Sequence, residues 1–175
     1  MKTEMTFIVL LIFGILISGC DEKDEVPVQA EATETDLLNE QFPEAQQEIT
    51  ETFGEIAQAL KDGDMDALIA FHAYSPKFTE FKNGELRNGA AANESYERSV
   101  FGAVTEVIKF DAKDLQIDVY GDVANVTFHS DFHLMFGEDL VVVVEQTSLL
   151  FLKTKDGWKI VHEHHSPLNQ AEVSS

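Results

Sequence analysis

The chain has 175 residues, 44% of them hydrophobic, with 32 acids against 12 Lys and Arg and a formal charge of −20. That length fits one domain plus tails, and that charge excludes the basic surface nucleic acid binding needs and disfavours adhesion to anionic headgroups. The single cysteine, Cys20, excludes an intrachain disulfide and a cysteine-ligated metal.

Phe7 to Ile17 is an apolar run too short to span a bilayer, with Lys2 before it and Ser18-Gly19 after it, as in a secretory leader. Leu16-Ile17-Ser18-Gly19-Cys20 resembles the lipobox of bacterial lipoproteins. The resemblance implies cleavage before Cys20, acylation of its thiol and a home in the cell envelope. Asp21 resembles the signal for retention at the inner membrane. Residues 1–19 therefore read as a lipoprotein signal peptide. Residues 20–47 read as a flexible stalk, with nine acids between Asp21 and Glu44 against Lys23 alone. The domain is placed at 48–167 and a tail at 168–175.

Ile49, Phe53, Ile56 and Leu60 recur at helical spacing and give one apolar face. Gly63 supplies the stop, and Asp64 caps a second helix carrying Met65, Leu68, Ile69, Phe71 and His72. Lys77 to Phe81 reads as a short strand, followed by turns at Asn83-Gly84 and Asn88-Gly89. A third helix is expected over 91–107, packing through Tyr96, Val100 and Val104. His72 reads as a core-edge histidine.

Leu115 to Tyr120 alternates with period two and turns at Gly121-Asp122. Ala124, Val126, Phe128, Ser130, Phe132 and Leu134 share one face of the next strand. His129, Asp131 and His133 lie on the other. Val141 to Val144 and Leu149 to Leu152 are apolar on both faces, so the strand from Leu140 to Lys153 should be covered twice. Three helices can cover one side; a second copy of the chain is the expected cover for the other, making a homodimer through the sheet face. The last strand runs from Trp158 to His165. The fold class is α+β: three N-terminal helices on a strongly curved antiparallel sheet of four to five strands, a cone with a pocket.

Ala59-Leu60-Lys61-Asp62-Gly63-Asp64-Met65-Asp66-Ala67-Leu68, Gly121-Asp122-Val123-Ala124-Asn125-Val126 and Gly157-Trp158-Lys159-Ile160-Val161-His162-Glu163-His164-His165-Ser166 carry a resemblance to the SnoaL-like and nuclear transport factor two superfamily. It covers about residues 49–167 and implies the cystatin-like cone, while leaving function open, because this fold hosts both enzymes and binding proteins. Laid on the ketosteroid isomerase pattern, the base position falls on Glu80, but the two oxyanion-donor positions fall on Ile56 and near Ser148. An aliphatic side chain cannot donate to an enolate, so isomerase activity of that kind is not expected, and Glu80 reads as a surface or rim carboxylate.

The resemblance places the His-x-His-x-Ser ending, His162, His164 and Ser166, in or near the pocket. Phe71, Tyr96, Phe128, Phe132 and Trp158 are candidate walls, and Glu80 and His164 are candidate catalytic groups. His129, Asp131 and His133 form a metal alternative, although two-residue strand spacing puts them about 6.5–7 Å apart. No cofactor is called for. The first functional reading is a membrane-anchored protein binding a small, partly apolar ligand. The alternatives are a proton-transfer or hydrolytic enzyme using pocket histidines, and a structural envelope protein using its sheet for interaction.

Overall fold

The computed structural model describes residues 35–168. The signal peptide, Cys20, most of the stalk and the C-terminal tail lie outside the described residues. Helix α1 (Pro43–Asp62) begins with a proline at its first turn, so it starts ahead of the boundary expected at residue 48. Proline is tolerated there because its missing N–H would have no intrahelical partner. Ile49, Ile56 and Ala59 are its buried residues. Gly63, at φ 67°, closes the helix in the left-handed conformation, which glycine adopts without steric penalty. Helix α2 (Met65–Ala70) starts at once, capped by Asp64, whose carboxylate accepts from the Ala67 amide at 2.9 Å. Asp64→Ala is expected to lower stability by about 1 kcal/mol, read by urea denaturation.

The chain then forms β1 (Thr79–Lys82) and β2 (Glu85–Leu86), followed by helix α3 (Ala90–Val100) and one 3-10 turn at Phe101–Ala103. Four long strands follow: β3 (Glu106–Tyr120), β4 (Val123–Phe136), β5 (Asp139–Thr154) and β6 (Gly157–Pro167). They form one six-stranded sheet in the order β2-β1-β6-β5-β4-β3. The α+β cone is as expected, with two corrections. The sheet has six strands rather than four or five, and it is mixed, because β1 pairs parallel to β6. Helix α3 also stops well short of residue 107. Phe101-Gly102 breaks it, and residues from Glu106 onward already belong to β3, where a register shift at Ile108 sets Val107, Phe110 and Ala112 on the inner face and Lys109 and Asp111 on the outer.

The core lies between α1, α2 and the inner sheet face. It is built from Ile49, Ile56, Leu68, Phe78, Ala124, Val126, Phe128, Leu149, Phe151, Trp158 and Ile160. The inner face of β4 is the one its alternation predicts. On β5 the double-sided apolar stretch splits: Leu149 and Phe151 face the core, while Leu150 and Leu152 face outward. Leu140, Val141 and Val142, at the tip of the β4–β5 hairpin, are about half exposed in the single chain.

Candidate functional site

The site grows from β6. Trp158 and Ile160 point inward, and strict alternation would send His162 and His164 after them. The register shifts by one residue: Phe151 pairs with Ile160, but Leu150 pairs with His162, leaving Val161 as an extra residue. A bulge of one residue exchanges the faces of everything beyond it. Glu163 and His165 therefore enter the interior, and His162 and His164 pass to the outer face. There His162 Nδ1 lies 2.7 Å from the Thr79 hydroxyl, and both rings stand edge-on to Phe81. Ser166, opposite Gln146, shares that outer face. The backbone fixes the kink from the other side, since Ala73 N donates to Ile160 O and Ile160 N to Phe71 O, each at 2.8 Å.

Inside, Glu163 is 5% exposed and sits between two imidazoles. Its Oε1 lies 2.7 Å from His72 Nε2, and its Oε2 lies 3.3 Å from His165 Nε2. His72 Nδ1 faces the Leu68 carbonyl at 3.2 Å, so both of its nitrogens face acceptors and the ring is held as an imidazolium. Burial works against that charge, but the Glu163 carboxylate outweighs it and raises the His72 pKa. The same ring stacks on Tyr74, 5.3 Å away. Glu163 is pushed the other way: its burial is overcome by hydrogen bonds from His165 and His72, and its pKa falls.

Glu80 is not a rim carboxylate: it is fully buried, opposite Glu163 in the parallel β1–β6 pairing. Arg87 Nη1 donates to its Oε1 at 3.3 Å and Asn93 Nδ2 to its Oε2 at 2.9 Å. Arg87 itself lies 3.8 Å over the ring of Tyr96. Asn93 in turn accepts from the Tyr74 hydroxyl. Next to this group, Glu145 accepts from Lys82 Nζ at 2.9 Å and Asn83 Nδ2 at 3.1 Å. These bonds outweigh its desolvation and lower its pKa.

Asn93 and Glu97 are the residues α3 buries, where Tyr96, Val100 and Val104 were expected to pack. Glu97 is 6% exposed. Burial first, then the Glu163 and Glu80 carboxylates, raise its pKa well above the usual carboxyl value, so it holds its proton to a higher pH than an exposed glutamate does.

These polar groups border a cavity of about 80 Å³ whose walls include Phe53, Phe110, Phe128, Phe132, Leu149 and Ile160. His72, Glu97, Thr147, Glu163 and His165 line it as well. Phe110 and Phe132 stack 3.9 Å apart, and Phe53 meets Phe128 edge-on at 5.2 Å. Of the expected walls, Phe128 and Phe132 line this cavity. Phe71, Tyr96 and Trp158 do not. Trp158 instead donates to Glu48 Oε2 at 2.9 Å and borders a wider hollow of about 540 Å³ beside Phe42, Pro43 and Gly121. Ile56 lines the inner cavity, whereas Ser148 stands on the outer face opposite His164. The two donor positions drawn from the isomerase pattern are thus an aliphatic wall and a residue outside the pocket.

Two groups of residues have the chemistry of metal ligands. Glu80, Glu163 and His165 bring ligand atoms within 4.8 Å of one another. They could close on a cation only by giving up Arg87, Asn93 and His72. On the outer face, the carboxylate of Asp131 is ringed by Lys109 and Lys113, both 2.6 Å away, and by His133 at 3.0 Å. His129 turns to Asp114 at 3.0 Å. Two ammonium groups on one carboxylate already neutralise it and repel a further cation, and His129 is paired elsewhere, so the His129, Asp131 and His133 alternative does not assemble.

The sequence model of the SnoaL-like domain family matches residues 49–170. The chain belongs to the SnoaL-like domain family. Among solved structures, this SnoaL-like chain is similar to a candidate dehydratase of the NTF2-like family from Streptomyces avermitilis. The two are 20% identical with a TM-score of 0.65, over 73% of this chain and 99% of that one. A nuclear transport factor 2-like superfamily protein from Salmonella enterica serovar Typhimurium is 19% identical, TM-score 0.63, over 76% and 98%. A candidate aromatic ring hydroxylase from Novosphingobium aromaticivorans is 17% identical, TM-score 0.63, over 74% and 93%. These likenesses show the NTF2-like fold. Among curated proteins, none matches the sequence.

Proposed function

We propose that this SnoaL-like domain binds a small, partly apolar molecule, its body against Phe128 and Phe132 and its polar group toward Glu97, Thr147 and His165. The observation that carries this reading is the meeting of an aromatic wall and a buried acid–base cluster on one cavity. Ligand sites combine apolar lining with a few convergent polar groups in this way. At about 80 Å³ the hollow holds between two and three liquid waters' share of volume, taking about 30 Å³ each. The ligand is therefore small, or enters by moving a side chain. Native mass spectrometry of the purified chain with cyclic C5–C7 fragments tests this. Retained fragments that are lost in Phe132→Trp support it, and equal retention by both proteins overturns it.

A second reading is a proton-transfer enzyme, supported by the Glu163–His165 contact at 3.3 Å. A carboxylate that orients an imidazole is the usual preparation of a general base. His165 takes the role first given to His164, and Glu80 is excluded from it by Arg87 and Asn93. One similar structure carries a dehydratase name, which fits such chemistry.

We further propose that acylated Cys20 anchors the domain in the bacterial envelope, at the inner membrane on the strength of Asp21. Detergent-phase partitioning that disappears in Cys20→Ser is the expected result. A second copy against the outer face, covering Val142 and Leu152, completes the assembly. A dimer mass in the same native spectra is the check.

A further inference from the structure

We infer that the Glu97 carboxyl is the group that seats the ligand, by donating a hydrogen bond to an uncharged acceptor oxygen such as the carbonyl of a small ketone or aldehyde. This rests on the pocket reading above and names the class of molecule that the pocket takes.

Glu80, Glu97, Glu145 and Glu163 are each less than a tenth exposed. Glu80 is held by Arg87 and Asn93, Glu145 by Lys82 and Asn83, and Glu163 by His72 and His165. Among the described residues, Glu97 has no hydrogen-bond or ionic partner, and it lines the cavity. The nearby cations are already engaged, Lys82 by Glu145 and Arg87 by Glu80 and Glu85. The Tyr74 hydroxyl donates to Asn93. Every fully enclosed polar side-chain atom among the described residues has a partner, so a Glu97 oxygen without one faces open volume, and that volume is where a partner can sit.

The surroundings also select the partner. Glu97 lines the cavity with no cation among the described residues left to pair with it, and burial beside Glu163 and Glu80 favours its protonated form, which presents one O–H donor to the cavity. An anionic ligand would find no free cation among the described residues to receive it, since Lys82 and Arg87 are already engaged. An ammonium group would have to leave water for a chamber walled by Phe128 and Phe132, which burial penalises far more than it penalises a carbonyl. An uncharged acceptor oxygen on an apolar body satisfies both constraints.

Three probes of nearly equal shape test this: cyclohexanone, methylenecyclohexane and cyclohexylamine, titrated into the purified full chain at pH 7 by ligand-observed NMR. The ketone is expected to bind about three- to tenfold tighter than the alkene, the worth of one net hydrogen bond. The preference should vanish in Glu97→Leu and persist in Glu97→Gln, whose amide still donates. If Glu97→Leu does not fold, the carbonyl carbon of 13C-labelled cyclohexanone in the native protein decides, since a donor moves its bound resonance downfield. Equal binding of ketone and alkene, or no carbonyl shift on binding, overturns the inference while the pocket reading stands. Tightest binding by the amine also overturns it, because Glu97 would then act as a carboxylate. Failure of all three probes to bind overturns both.

Discussion

Replacing His72 with leucine is expected to cost about 3–5 kcal/mol of folding stability, measured by chemical denaturation at pH 6. Leucine has a similar volume, so the loss is electrostatic rather than a packing defect. It leaves Glu163, fully enclosed by β1, β5 and β6, with only the 3.3 Å contact to His165. Removing one member of a buried ion pair strands the other charge, and that is where the large penalty arises. The same principle gives an internal control. When both members become apolar, no charge is stranded, so His72→Leu with Glu163→Leu is expected to be more stable than either single variant. A double variant at least as unstable as the sum of the singles would sink the account.

The pair also fixes a pH window. The raised His72 contributes fully below the ordinary imidazole value of 6.5, and its contribution is lost as pH rises through the higher folded-state value. The depressed Glu163 contributes above the ordinary 4.5, and its contribution is lost as pH falls toward its lowered folded-state value. The stabilisation from the pair is therefore greatest between about pH 4.5 and 6.5, and the His72→Leu penalty should shrink on either side.

The residues that make this pair show where sequence reasoning succeeds and where it stops. Alternation along β4 assigns Phe128 and Phe132 to the interior, and helical spacing assigns Ile49 and Ile56, because each signal repeats several times within one unbroken element. Glu163 and His165 are missed because a single extra residue, Val161, changes which face the rest of β6 presents. The only trace in the sequence is the adjacent apolar pair Ile160-Val161, where alternation lapses. Glu80 looks like a rim residue from its charge, since its burial depends on Arg87 and Asn93, which reach it from other elements. The buried stripe of α3 could have been found. Counting back from Val100 by three and seven residues reaches Glu97 and Asn93, but polar residues on an inward stripe do not register in an apolar pattern. The unread residues are those of the candidate site, as expected where function overrides local pattern.

Glu97→Gln is expected to stabilise the protein at and above neutral pH, which is unusual for a change to a buried residue. In the unfolded chain Glu97 loses its proton near 4.5, whereas in the native chain burial, Glu163 and Glu80 keep the proton on to a higher pH. The folded state then binds more protons than the unfolded one, so this residue's contribution to stability falls as pH rises from about 4.5 through its raised folded-state value. The slope over that interval is up to about 1.4 kcal/mol per pH unit. Glutamine has nearly the same shape and nothing to titrate. Wild type and variant should match below pH 4.5 and diverge steadily above it, with the variant ahead at pH 7.5 by more than the roughly 0.5 kcal/mol of an ordinary surface change. Parallel denaturation midpoints across pH 4 to 8 would refute the neutral acid. A side chain that destabilises the fold at physiological pH, in a position where glutamine would not, indicates that its acidity serves something other than folding.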